Sequence, residues 1–184
     1  MSIDYPTVFR EIRGELGYRQ TAKRAELARL RRLGPRADAP DRIDISPLAE
    51  SFFARLLLRR LGLAKDGVVD VDRRIDRIER AAAALGALAA ISDEVSAPHP
   101  ARALHAVMSE DRFVRLLRME TPAEILANGR RLVRMLGGRT DPGALGADLY
   151  WWSPKTRTRW AFLYYGDPDN QPDALISSHS GDAA

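Results

Sequence analysis

Arg112, Arg115 and Arg118 recur every three residues in the segment 109–118, opposite Phe113, Leu116 and Leu117 at helical spacing. A planar, permanently charged guanidinium at each position can bind a phosphate through paired hydrogen bonds. The same arrangement returns twice. In residues 121–136 the apolar set Ile125, Leu126, Gly129, Leu132, Val133 and Leu136 occupies about a third of the helical wheel, leaving Arg130, Arg131 and Arg134 roughly opposite. After Ser153-Pro154, Lys155 and Arg159 stand one turn apart with Arg157 between them, and Trp160, Leu163 and Tyr164 take another face. Nearer the N-terminus, Arg24 and Arg31 lie across from Ala22, Leu27, Leu30 and Leu33, with Arg32 at the flank. The chemistry these stripes offer is anion binding along helix sides.

Charge distribution sharpens the point. Of 29 basic residues 26 are arginine, and the net charge of +4 conceals an uneven chain. Residues 109–160 carry ten basic and six acidic side chains, whereas residues 166–184 carry four aspartates and no basic residue. Arginine excess also follows from a GC-rich genome, and any amphipathic helix needs a polar face, so the stripes alone do not separate a solvated surface from a binding one.

Other chemistry is not assembled. With no cysteine there is no thiolate nucleophile, disulfide or cysteine-based metal site, and His99, His105 and His179 are scattered. Asp167, Asp169 and Asp173 lack the glycine and the closing glutamate of a calcium loop, and Gly143 and Gly146 lack the lysine and spacing of a phosphate loop. Glu124 is expected as a cap and Asp148 as a solvent-facing helix residue. No catalytic residue, metal ligand or cofactor is assigned, and no enzymatic activity is expected. Trp151, Trp152, Trp160, Tyr164 and Tyr165 can either stack on unpaired bases or form a small core. Trp151 and Trp152, as helix neighbours, cannot both point inward.

The elements that position these residues are helices. Val8 to Leu16 is amphipathic and closes at Gly17; Gln20 to Leu33 ends at Gly34-Pro35. Ser46-Pro47 opens a helix to about Leu61, with Leu48, Phe52, Phe53, Leu56, Leu57 and Leu61 as core. Asp72 to about Ile91 is helical, its alanines at 81–84 suited to close helix approach. Glycines 62 and 67 bracket a loop, and a polar, proline-containing break over 92–100 is followed by a short helix from Ala101 to Met108. Thr121-Pro-Ala-Glu124 is a capping box with proline at the first helical position, and Gly137-Gly138 terminates that helix. The expected fold class is all-α, with about eight helices in two small bundles: residues 1–96, a basic bundle over 97–166, and a flexible acidic tail over 167–184. No stretch has the order of a signal peptide or the apolar length of a membrane span, so a cytoplasmic protein is expected.

The order of motifs carries a resemblance. Arg112-Phe-Val-Arg-Leu-Leu-Arg118, Gly129-Arg-Arg-Leu-Val-Arg-Met-Leu136, Leu145-Gly-Ala-Asp-Leu-Tyr-Trp-Trp152 and Arg159-Trp-Ala-Phe-Leu-Tyr-Tyr165 together resemble the CasB family. CasB is the small subunit of the type I-E CRISPR surveillance complex, Cascade. Ala25-Glu-Leu-Ala-Arg-Leu-Arg-Arg32 is similar to the family's arginine-bearing second helix. The resemblance implies an all-helical, two-domain, non-catalytic subunit, present as a pair beside other Cascade subunits, guide RNA and target DNA. Its basic side chains would hold the target and displaced strands and stabilise the R-loop for antiviral defence. By position, Arg31 and Arg32 match the N-terminal basic pair, Arg112 and Arg118 the first C-terminal stripe, Arg130 and Arg131 the next helix, and Lys155 with Arg157 the segment after the paired tryptophans. Ser153-Pro154 and the acidic tail depart from the family pattern. The competing readings are a helical sequence-specific DNA-binding regulator, which needs a base-reading recognition helix, and an interaction bundle whose arginines only solvate it.

Overall fold

Residues 3–17, 21–65, 68–94 and 98–166 are described by a computed structural model. The chain begins with α1 (Tyr5–Gly17), α2 (Thr21–Arg31), α3 (Ser46–Ala49) and α4 (Phe52–Arg60), followed by the two-residue strands β1 (Ala64–Lys65) and β2 (Val68–Val69). It continues through α5 (Val71–Leu88), β3 (Asp93–Glu94), α6 (Pro100–Leu104), α7 (Glu110–Leu117), α8 (Pro122–Met135), β4 (Arg139–Thr140), α9 (Pro142–Tyr150) and α10 (Pro154–Tyr165). The fold is all-α, with ten helices among the described residues. Two minimal strand pairs accompany them, β1 with β2 antiparallel and β3 with β4 parallel. The acidic tail with His179, Gln20, Gly67 and the boundary at 96–97 lie outside the described residues.

Helix α5 runs through the middle. Its first two turns, residues 71–77, meet solvent, while Ile78, Glu79 and every residue from Ala81 to Ala89 are buried. Six alanines and Gly86 in that stretch give it a thin profile, and α8 and α9 both pack against α5; α1 lies along α9. Small residues recur at these crossings. A Cβ on Gly129 of α8 would meet Leu149 of α9 at 2.9 Å and Ala87 of α5 at 3.0 Å. A Cβ on Gly146 of α9 would meet the Phe9 ring of α1 at 2.5 Å. These glycines are there because the neighbouring helix occupies the space of a side chain.

The helix ends follow their chemistry. The capping box is complete: Glu124 N–H donates to Thr121 Oγ1, and the Glu124 carboxylate accepts from the N–H of Thr121 and of Glu120. Those two amides, that of Glu120 foremost, hold the Glu124 carboxyl below its ordinary range. The box therefore stabilises the fold at neutral pH and loses that contribution as pH falls through the lowered value. Gly137 and Gly138, at φ 65° and 77°, end α8 as left-handed residues.

Two expectations about the N-terminal half are corrected. The helix expected over 46–61 is two helices, because Ser51 turns out of helical conformation and caps α4, accepting from Ala54 N–H while its hydroxyl donates to Glu26 at 2.7 Å. Phe52 is not core but 57% exposed. Adjacent residues diverge by about 100° on a helix, so Phe53 takes the interior and Phe52 lies edge-on against it at 5.5 Å. Leu48, Leu57 and Leu61 are buried as expected.

A buried carboxylate of α5 is paired from the loop after α2. Glu79 of α5 is 1% exposed and is met by the Arg42 guanidinium, whose Nε donates to Oε1 at 3.0 Å.

Gly146→Ala is expected to destabilise the protein by about 1–3 kcal/mol through overpacking against Phe9. Urea denaturation measures it, and an unchanged midpoint would mean that α1 and α9 separate freely at this crossing.

Candidate nucleic-acid interface

Helix α7 carries Glu110 and Asp111 in its first turn and buries Phe113 and Leu116, which turns Arg112, Arg115 and Arg118 outward. Helix α8 buries Ile125, Leu126, Gly129, Leu132 and Val133, which exposes Arg131 and Arg134. Between the two helices runs a groove of about 600 Å³. Arg112 and Arg115 line it from α7, Arg131 and Asn128 from α8, over a floor of Met108, Leu116, Leu132 and Met135. No carboxylate is among its lining residues. Asn128, one turn before Arg131, was not singled out in the sequence; its polar spacing from Arg131 was the available signal.

The twelve cations expected from sequence divide by what they touch. Within the described residues, no hydrogen bond or ion pair engages the side chains of Arg24, Arg32, Arg112, Arg115, Arg118, Arg131, Arg134 or Lys155, and all eight are exposed. The other four serve the fold. Arg130 is half-buried: its Nη1 and Nη2 donate to the carbonyls of Leu33 and Leu30, each at 2.8 Å, and its Nε to that of Gly86 at 3.3 Å. One guanidinium thus ties α8 to the C-terminal end of α2 and to α5. Burial, with Arg134 beside it, pulls the Arg130 pKa below that of an exposed arginine. Arg31 Nε donates to the Ala89 carbonyl at 3.1 Å, and Arg157 Nη1 to that of Leu117 at 3.5 Å. Arg159 pairs with Asp148.

Asp148 is a correction. Rather than facing solvent, it is 3% exposed and accepts from three groups: Arg159, the indole N–H of Trp160 at 2.6 Å, and His99 Nε2 at 2.9 Å. His99 Nδ1 accepts the N–H of Ala101 at the start of α6, so the proton on the neutral ring sits on Nε2 and points at the carboxylate. Nothing in local spacing could reveal this, since His99 and Asp148 are 49 residues apart.

The aromatic residues separate cleanly. Trp160 is fully buried and meets Trp152 edge-to-face at 5.0 Å; Trp152 is buried with its N–H on the Met119 carbonyl. Trp151 points the other way and is 42% exposed. Tyr164 stacks on Phe113 at 3.8 Å, which fixes α10 to α7.

Among the described residues no cluster of three or more histidine or acidic side chains could hold a metal ion, and no helix is long and apolar enough to cross a membrane. A sequence model of the family described as CRISPR-associated protein Cse2 matches residues 26–165, more than half of the chain. No curated protein and no solved structure matches.

Arg130→Gln is expected to lower stability by roughly 1.5–3 kcal/mol, since charged hydrogen bonds to three buried carbonyls are lost. Arg131→Gln and Arg134→Gln are expected to stay within about 0.5 kcal/mol of the parent. Parallel urea melts of the three variants test this ranking; equal midpoints would mean that the Arg130 contacts add nothing.

Proposed function

The chain belongs to the Cse2 family, that of CasB, a type I-E Cascade subunit, and from that premise we propose that the α7–α8 groove holds a nucleic-acid backbone inside the surveillance complex. The observation that carries this reading is the convergence of Arg112, Arg115 and Arg131, from two helices, on one groove without a lining carboxylate. Three unpaired guanidiniums held together repel one another, and a phosphate relieves that repulsion while offering each fork two acceptors. Arg118 and Arg134, exposed on the same two helices, extend the positive field beyond the groove.

A subunit of this kind needs no base recognition. In guide-directed complexes, pairing with the RNA reads the sequence, and the protein supplies contacts to the strands. Exchange of a DNA duplex for an RNA–DNA hybrid is nearly balanced, so a few added phosphate contacts tip it toward the open R-loop. On this reading the chain is a structural subunit that stabilises the R-loop through sequence-independent contacts with the strands, works in the cytoplasm, and acts beside a second copy of itself. Arg31, Arg130, Arg157 and Arg159, whose guanidiniums are engaged within the chain, are secondary to the eight unengaged cations in this role.

Replacing Arg112, Arg115 and Arg131 together by glutamine is expected to flatten log affinity against log salt by about two units, at about 0.7 per lost single-strand phosphate contact. The loss should be equal for unrelated DNA sequences. The measurement is made on the assembled complex and on the full-length free subunit at low salt, with a urea melt to confirm the fold. An unchanged slope in a folded variant would refute the groove as a backbone site, and a loss restricted to one sequence would refute sequence-independent contact.

A further inference from the structure

Away from the α7–α8 groove, the end of α9 and the start of α10 diverge around a second cavity of about 590 Å³, within the size range of small-ligand pockets. Ala144, Ala147, Asp148 and Trp151 fall on one helical face and form one wall of it, and Pro6 adds another apolar surface. Two alanines, where larger side chains would fill the space, leave the Trp151 indole accessible. Tyr5 and Tyr150 brace that ring edge-to-face at 5.3 and 5.0 Å, so it is exposed but fixed. Lys155, Arg159 and His99 form the polar rim.

The charges of the rim do not cancel. Asp148 is already matched by Arg159, His99 and Trp160. Asp141, the other lining carboxylate, accepts from Gly143 N–H and pairs with Arg10 at 3.4 Å. Lys155, with no partner among the described residues, is left over at the mouth, in the first turn of the twelve-residue helix α10. An aromatic plane beside an unmatched cation and a small apolar recess complements a group that is flat at one end and anionic at the other.

We infer that this cavity receives one unpaired nucleotide of a single strand, its base stacked on Trp151 and its phosphate held by Lys155. The inference rests on the reading that the chain holds nucleic acid, and adds a site at which a base, rather than backbone alone, is gripped. Stacking is indifferent to base identity, so such a site is compatible with a subunit that reads no sequence.

The test uses the full chain at low salt and two single-stranded probes of equal length and charge, a thymidylate hexamer and a hexamer of abasic deoxyribose phosphates. The thymidylate probe is expected to bind roughly 5- to 100-fold more tightly and to quench tryptophan emission, because one stacked base contributes that much. Trp151→Ala and Ala144→Leu should erase the preference while leaving abasic binding intact. Lys155→Gln, at an exposed position, should weaken thymidylate binding more than abasic binding. Trp151→Phe should retain part of the preference, which separates loss of stacking from loss of structure. The Arg112, Arg115 and Arg131 glutamine variant should weaken both probes and keep their ratio, so failure of the groove and failure of the cavity give different results. Equal affinity for the two probes, or a preference that survives Ala144→Leu in a folded protein, overturns the proposal. So does a cavity variant that sheds a partner protein from the complex without changing the probe ratio, since the occupant is then a protein side chain.

Discussion

Close approach of helices through small residues is the constraint on which the rest of this molecule depends. Helix α5 can be enclosed by α8 and α9 only because its buried half is mostly alanine with one glycine, and because Gly129 answers it from α8. Interhelical distance is set by the side chains at the crossing, so one methyl group in the wrong place moves an entire helix. The same device returns where Gly146 admits the Phe9 ring, linking the first helix to the ninth. The large side chains, Trp160, Phe113 and the leucines, fill what remains around this thin centre.

The second organising feature is the dual use of arginine. Helix ends leave carbonyls without partners, and here several are met by guanidiniums from elsewhere in the chain: Leu30 and Leu33 by Arg130, Ala89 by Arg31, Ile91 by Arg13, Trp152 by Arg80. A planar fork with five donors can reach carbonyls on two helices at once, which a lysine ammonium cannot do with the same geometry. Part of the arginine excess therefore belongs to the interior joints of the fold, and a different part to its surface. The division follows burial and partners, not position on a helical wheel.

That is also where sequence reading reached its limit. The helices over 122–135 and 154–165 were legible because periodicity, a threonine or serine cap and a following glycine agree within each segment, and those over 5–17 and 71–88 from periodicity, with Gly17 closing the first. The break at Ser51 was not, because it depends on Glu26 reaching the serine from another helix. Arg131 and Arg134 were placed correctly on the exposed face of α8, but Arg130, their neighbour, sits at the edge of the apolar stripe, where only the approach of α2 decides whether it meets water or carbonyls. Asp148 was misread for the same reason. On α9 taken alone it is one polar residue among apolar ones, and its three donors arrive from α6 and α10. Of the groove, the arginines were legible and their convergence was not, since it requires α7 and α8 to lie side by side.

Helix α9 is held against rotation on two sides, by Phe9 seated over Gly146 and by Leu149 seated over Gly129. A helix so keyed cannot roll about its own axis without a steric collision, which makes it an index against which the next residues are registered. Trp152 turns inward and Trp151 outward at the end of that index, so the bearing of the exposed indole is decided about one and a half turns earlier, where two buried glycines key the helix. The surface inherits its angular accuracy from the interior. A variant that filled either notch and still folded would carry every original surface side chain, yet aim them in a different direction.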